Sequence, residues 1–257
     1  MPQDNYELSV SERTLEIITH PKNKVVLLDT NAIIPSRFLN DTYSCADCSA
    51  LSREELNGLK KVVMESINLL EYPNAYVVSG VTEESKGFLN RFSERLKFFN
   101  KRERSIQRSY HSSSNRQHKL FLYSEIAEII NQLIKKERKK ELKLEDKLLF
   151  DEIFTLVKKV SDVFGIKEPK QEEKIPRIYR EDRVDHRTDE EIVGAAFYVA
   201  LRDNIGCAVV SRDDHIRALI KISSKFVHYI TFPCSLNGNK IVLYDPFTGN
   251  SAAYGFN

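Results

Sequence analysis

Short apolar runs closed by polar turn formers set the frame of this chain. Val25 to Leu28 leads directly into Asp29, Thr30 and Asn31. "NAYVVSG", Asn74 to Gly80, is a second such run, and "CAVVSRDDHI", Cys207 to Ile216, contains a third that ends at Ser211 and the pair Asp213 and Asp214. Short, β-branched and without alternation, they predict strands buried on both faces of a parallel sheet. Between the first two lies "SREELNGLKKVVMESINLL", Ser52 to Leu70, which opens with Ser-x-x-Glu and continues with apolar positions at helical spacing. That is a capping box leading an amphipathic helix. A strand-helix-strand crossover of this kind makes the two strands parallel and places their carboxyl ends on one edge.

Further helices are predicted at Val81 to Leu89, where Glu83 and Glu84 occupy a first turn, and at Thr188 to Leu201. The latter opens with Thr-x-x-Glu, a second capping box, with Asp189 at its first helical position. Long helical patterns run over about 82–105, 119–142 and 145–163, with "SYHSSSNRQ", Ser109 to Gln117, as a connection. "KKERKKELKLEDK", Lys135 to Lys147, mixes both signs and predicts exposed helix or a helix junction. Pro169, Pro176 and dense charge between Gly165 and Arg187 predict an irregular return to the sheet. "KFVHYITF", from Lys225, predicts another strand, and "LNGNKIVLYDPFTGN" a terminal extension or edge hairpin carrying no chemistry.

A chain of 257 residues buries a sizeable core, as one domain or a domain with an insertion. Its 39 basic and 37 acidic residues leave a net charge of +2, so bulk charge selects no partner. The start has no basic segment followed by an apolar one, and no apolar run approaches the roughly 18 residues of a membrane span. A soluble, cytoplasmic chain without membrane contact is expected. Cys45 and Cys48 form one C-x-x-C, but nothing in their spacing from Cys207 and Cys234 demands a zinc site, and a reduced, structural role is expected.

The acidic positions change the picture. Asp29, Glu83 and Glu84, Asp189 with Glu190 and Glu191, and Asp213 with Asp214 all stand at strand ends or at first helical turns beside them. Taken singly, each is an ordinary helix cap or first-turn acid. Taken together, they place several carboxylates on one edge, where ligands of open α/β sheets bind. Like charges at close range raise one another's pKa, so a cation belongs among them. Hard oxygen donors in a half-open site predict Mg²⁺ or Mn²⁺ and a phosphodiesterase-type centre in which bound water is the nucleophile. His186 and His215 stand near this set and offer phosphate contact or proton transfer.

The ordered series "LLDTN", Val-x-x-Glu after the second strand, "TDEEIVGAA" and "VVSRDD" resembles the PIN-domain nucleases. By that resemblance the ligands are Asp29, Glu84, Asp189 and Asp213. Glu84 is preferred over Glu83 because it lies three residues after Val81; Asp189 lies three before Ile192, and Asp213 completes Ser-x-Asp. Asn31 and Ser211 resemble the family's polar helpers, and Asp214, Glu190 and Glu191 are either outer groups or solvated charges. The resemblance covers residues 24 to 84 and about 188 to 232. It implies a three-layer α/β/α sandwich with a mostly parallel central sheet, spanning 1–257 as a single domain with a mainly helical insertion at 86–187. The implied activity is Mg²⁺- or Mn²⁺-dependent endonucleolytic hydrolysis of single-stranded RNA. The spacing from Glu84 to Asp189 exceeds that of compact family members. Two other readings stay open: a structure-specific DNA flap or junction nuclease, and a catalytically silent scaffold binding RNA or a protein partner.

Within the insertion, residues 86 to 119 hold ten Lys or Arg against Glu94 and Glu103. Phe92, Leu96 and Phe99 share one helical face, and Lys97, Lys101, Arg104 and Arg108 the opposite one. These four cations form either a nucleic-acid-binding arm or a solvated face. Reversing Lys97, Lys101 and Arg104 to Glu separates the two. A binding arm predicts weaker single-stranded RNA binding and a salt slope flatter by about 0.7 log units for each phosphate no longer neutralised. An unchanged slope in a folded variant, measured by binding isotherms at several salt concentrations, removes the arm.

Overall fold

A computed structural model describes residues 4–34, 52–106, 114–166, 187–202, 205–227 and 240–255. Among them the predicted runs form β1 (Val25–Leu28), β2 (Ala75–Tyr76) and β3 (Cys207–Val210), joined by β4 (Lys240–Tyr244) and β5 (Ser251–Gly255). The strand order is β2-β1-β3-β4-β5, and only the β4–β5 pairing is antiparallel. β1 and β3 pair over their whole length, from Val25 opposite Cys207 to Leu28 opposite Val210. Val26 to Leu28 and all of β3 are buried, as unalternating apolar strands covered by helices must be.

Eight helices surround the sheet among the described residues: α1 (Asp4–Thr19), α2 (Thr30–Ile33), α3 (Arg53–Leu69), α4 (Ser79–Ile106), α5 (Ser114–Lys140), α6 (Lys147–Phe164), α7 (Thr188–Arg202) and α8 (Asp214–Ser223). The Ser52 capping box forms as expected: Glu55 N donates to Ser52 Oγ at 3.1 Å, and Ser52 N donates to Glu55 Oε2 at 2.7 Å. Such a cap contributes about 1 kcal/mol to its helix. α7 is apolar on nearly all sides, from Ile192 to Leu201, and is correspondingly buried. No described helix is long and apolar enough to cross a membrane.

The helices between β2 and β3 share the hydrophobic core of the sheet. Phe88, Phe92, Ile126, Ile130, Leu133, Ile153 and Val157 belong to the same buried cluster as Leu27 and Val209. Phe92 bridges α4 to α5 through the Phe88 ring, 6.0 Å away, and the Tyr123 ring, 5.2 Å away. Glu141, just past α5, forms a parallel bridge to Val77 beside β2, so the predicted junction at Lys135–Lys147 is held by backbone pairing as well. Tyr198 of α7 accepts from Asp146 N at 2.8 Å, and Asp146 caps α6 through Leu149 N at 3.0 Å. Gly165 closes α6 at φ 63°, a left-handed position suited to glycine.

The expected edge hairpin forms: β4 and β5 pair antiparallel at the end of the sheet, with β4 joined to β3 through buried Ile241 and Leu243 and β5 outermost. Two expectations are corrected. Lys225 to Val227 are turn and short helical residues where a strand was expected; the rest of that run lies outside the described residues. The capping box at Thr188 does not form: Thr188 is already the first helical residue, Glu191 N donates to Arg187 O at 2.9 Å so that Thr188 Oγ1 is buried without a hydrogen bond, and the Glu191 side chain is engaged on α4. Cys207 is buried in β3 as a free thiol whose pKa burial pushes up, while Cys45, Cys48 and Cys234 lie outside the described residues.

Candidate metal centre

The parallel register of β1 and β3 brings Asp29 and Ser211 side by side at their carboxyl ends. Pairing continues one residue beyond each strand, with Asp29 N donating to Val210 O at 3.1 Å and Ser211 N to Tyr244 O at 3.0 Å. Asp29 is 4% exposed. Its Oδ1 accepts from Thr30 N at 2.6 Å and its Oδ2 from Ser211 Oγ at 2.6 Å. Ser211 Oγ in turn accepts from Asp213 N at 2.9 Å, and Asp213 Oδ1 accepts from His215 N at 2.7 Å. Asn31 Oδ1 accepts from Arg212 N at 3.2 Å and fixes the loop between Ser211 and Asp213. Asp29 and Asp213 are thus helix caps, as their residue type favours, and they are also linked through one serine.

Two helix starts complete the edge. α4 begins at Ser79, so Glu84 sits on its second turn, where Thr30 Oγ1 donates to Glu84 Oε2. The first turn of α7 docks on the first turn of α4: Glu191 accepts from Ser79 N at 3.2 Å, Ser79 Oγ at 2.6 Å and Gly80 N at 2.8 Å. A side chain at position 80 would collide with this contact, since a Cβ there would lie 2.7 Å from Thr188 Oγ1 and 2.8 Å from Glu191 Oε2. The clamp sets Asp189 opposite Asp213 and His215, whose potential ligand atoms all lie within 4.8 Å of one another.

Charge accumulates here. Burial, and then the Glu84 and Asp213 carboxylates, push Asp29 up to about 7 against the lowering effect of its hydrogen bonds. Behind Glu84 lies Glu137 of α5, fully buried, accepting from Ser85 Oγ at 2.8 Å with no hydrogen bond to its Oε2. Burial, aided by Glu141 and Glu84, pushes it up to about 8. Flanking acids take up nearby cations: Glu83 pairs with Lys86, Asp214 with Arg217 at 3.1 Å, and Arg187 with both Asp162 at 3.4 Å and Glu190 at 3.7 Å. His215 Nδ1 lies 3.3 Å from Asp213 Oδ1 but is buried without a hydrogen bond. A buried Asp29 carboxylate, raised first by burial and then by the Glu84 and Asp213 charges, at the same edge as an imidazole nitrogen without a hydrogen bond, suits a divalent cation.

The structure therefore joins Asp29 to Glu84 through Thr30 and to Asp213 through Ser211, and it gathers Asp189, Asp213 and His215. Asp214, expected as a supporting group, turns outward to Arg217, and Glu191 is a helix clamp. Lys97 is exposed on α4; Lys101 and Arg104 fall within that helix, and Arg108 and His186 lie outside the described residues. Glu137 does not stand out in the sequence because it sits in a lysine- and glutamate-rich stretch. Its spacing after Ile130, Leu133 and Ile134 places it on their buried face. No protein-family model, curated protein or solved structure matches the chain.

The raised Asp29 pKa has a pH signature. Below about pH 4 the group is neutral in both states. As pH rises towards 7 the unfolded chain loses this proton first, so folding stability falls, and the penalty is complete above about 7. At about 1.4 kcal/mol per pH unit between the two pKa values, the cation-free protein loses on the order of a few kcal/mol. Asp29→Asn should flatten the fall between pH 4.5 and about 7.5 and melt no lower than wild type at the upper end. Parallel pH profiles in chelator would refute the electrostatic account.

Proposed function

We propose that the chain is a PIN-like nuclease, hydrolysing phosphodiester bonds of single-stranded RNA with Mg²⁺ or Mn²⁺. The observation carrying this reading is the buried carboxylate of Asp29, linked to Glu84 through Thr30 and to Asp213 through Ser211, at the carboxyl edge of two adjacent parallel strands. Such edges are where ligands of open α/β sheets bind. The order of the acidic motifs supports the same reading. So does the mostly parallel sheet with its helices, compatible with a three-layer α/β/α sandwich.

Asp29, Glu84, Asp189 and Asp213 would hold the cation. When bound, it would acidify water and offset charge developing at phosphorus. The chain's own residues do the positioning: Ser211 holds the Asp29 carboxylate and the Asp213 backbone, and Asn31 holds the Arg212 backbone between them. Thr30 holds Glu84 against the end of β1. Lys97 on the exposed face of α4, with Lys101, Arg104 and Arg108 further along the sequence, would follow the phosphate backbone.

Purified protein incubated with single-stranded RNA and with flap DNA, each in Mg²⁺, Mn²⁺ or chelator, tests this directly. Metal-dependent RNA fragments are expected, with a drop of at least about a hundredfold in Asp189→Asn, equivalent to roughly 2.7 kcal/mol of barrier. Cleavage that survives chelation, or that Asp189→Asn leaves intact, contradicts the assignment. Cleavage confined to the flap substrate moves it to DNA, and a folded, RNA-binding protein without cleavage makes it a scaffold.

A further inference from the structure

The proposed ligand set contains only oxygen, yet the tightest grouping at this edge includes a nitrogen. Donor atoms of Asp189, Asp213 and His215 lie within 4.8 Å of one another. Three donors each about 2.1 Å from one ion stand roughly 3–3.5 Å apart, so small side-chain rotations close this cluster around a cation. Asp213 spends Oδ1 on the His215 backbone N–H, and its Oδ2 is the second oxygen it can turn towards an ion.

The His215 ring supplies the second observation. Nδ1 is shielded from solvent, lacks a hydrogen-bond partner and faces the Asp213 carboxylate at 3.3 Å. A buried polar atom left in this way costs free energy. The main chain that carries the ring is fixed, because His215 is the second residue of α8 and its own N–H is bound by the Asp213 cap, while the half-buried side chain keeps the rotation needed to meet an ion. An imidazole nitrogen close to two carboxylates from different parts of the chain is a ready donor to a metal ion.

We propose that His215 ligates the cation directly, giving a mixed nitrogen and oxygen site that takes Mn²⁺, or another first-row transition ion, in preference to Mg²⁺. This rests on reading the edge as a metal centre. Mg²⁺ prefers oxygen donors and retained waters, whereas imidazole strengthens binding of transition ions. The residue makes metal identity a property of this chain's own sequence.

Mn²⁺ titrated into full-length protein without RNA, read by pulsed electron paramagnetic resonance, tests the ligand. Bound Mn²⁺ should show ¹⁴N coupling from one imidazole, replaced by ¹⁵N coupling when histidine is ¹⁵N-labelled. His215→Ala and His215→Gln should each abolish the coupling and weaken Mn²⁺ affinity by about tenfold or more, the loss typical even of outer partners, while Mg²⁺ affinity changes far less. Wild-type Mn²⁺ without histidine coupling, or coupling that persists in a folded variant, overturns the assignment whether or not both variants fold. So does the absence of bound Mn²⁺. Imidazole-bound Mn²⁺ without RNA cleavage would retire the nuclease and keep the ligand; Mg²⁺-dependent cleavage without coupling would do the reverse.

Discussion

Asp29 is a carboxylate held where its charge is poorly tolerated. β1 delivers it from the buried centre of the sheet, and the register with β3 leaves it 4% exposed between Ser211 and the start of α2. Two short hydrogen bonds stabilise the ionised form, yet burial and the neighbouring acids outweigh them. A protein gains nothing in stability from this arrangement, since one like charge fewer would relieve it. The proposed centre, which would concentrate negative potential for a divalent cation, gives the arrangement a use.

The surrounding elements converge on that requirement. Glu191 bolts α7 to the amino end of α4 through three hydrogen bonds, and the close approach is possible because position 80 is glycine. This contact carries Asp189 and Glu84 to the same edge from parts of the chain more than a hundred residues apart. α5 contributes by packing on α3 and α4, which sets Glu137 behind Glu84. One hydrophobic core thereby supports both the sheet and the helices that aim the acids.

Local physics made the strands legible: Val25–Leu28 and Cys207–Val210 have the length and composition of doubly covered strands, and Ser52 with Glu55 forms the cap its spacing predicts. The edge location of the acids was also readable, because crossover rules place parallel strand ends together. What stayed hidden depended on distant partners. Thr188 and Glu191 have the spacing of a capping box, but Ser79 and Gly80 compete for the carboxylate and win with three donors. Glu137 sits among lysines and glutamates that mask its place on the face of Ile130, Leu133 and Ile134, and its buried partner Ser85 is 52 residues away. The hairpin of Lys240–Tyr244 with the last strand was visible as well, because turn residues flank its apolar run.

The central claim, that these acids and His215 form a cation site, is tested most directly by diffraction from crystals soaked in Mn²⁺, with data collected at the manganese absorption edge. The expected result is an anomalous peak bounded by Asp189, Asp213 and His215, on the side of the sheet edge that Asp29 and Glu84 also occupy. A map at saturating Mn²⁺ with no anomalous density at that edge, or with the ion bound elsewhere on the molecule, would contradict it.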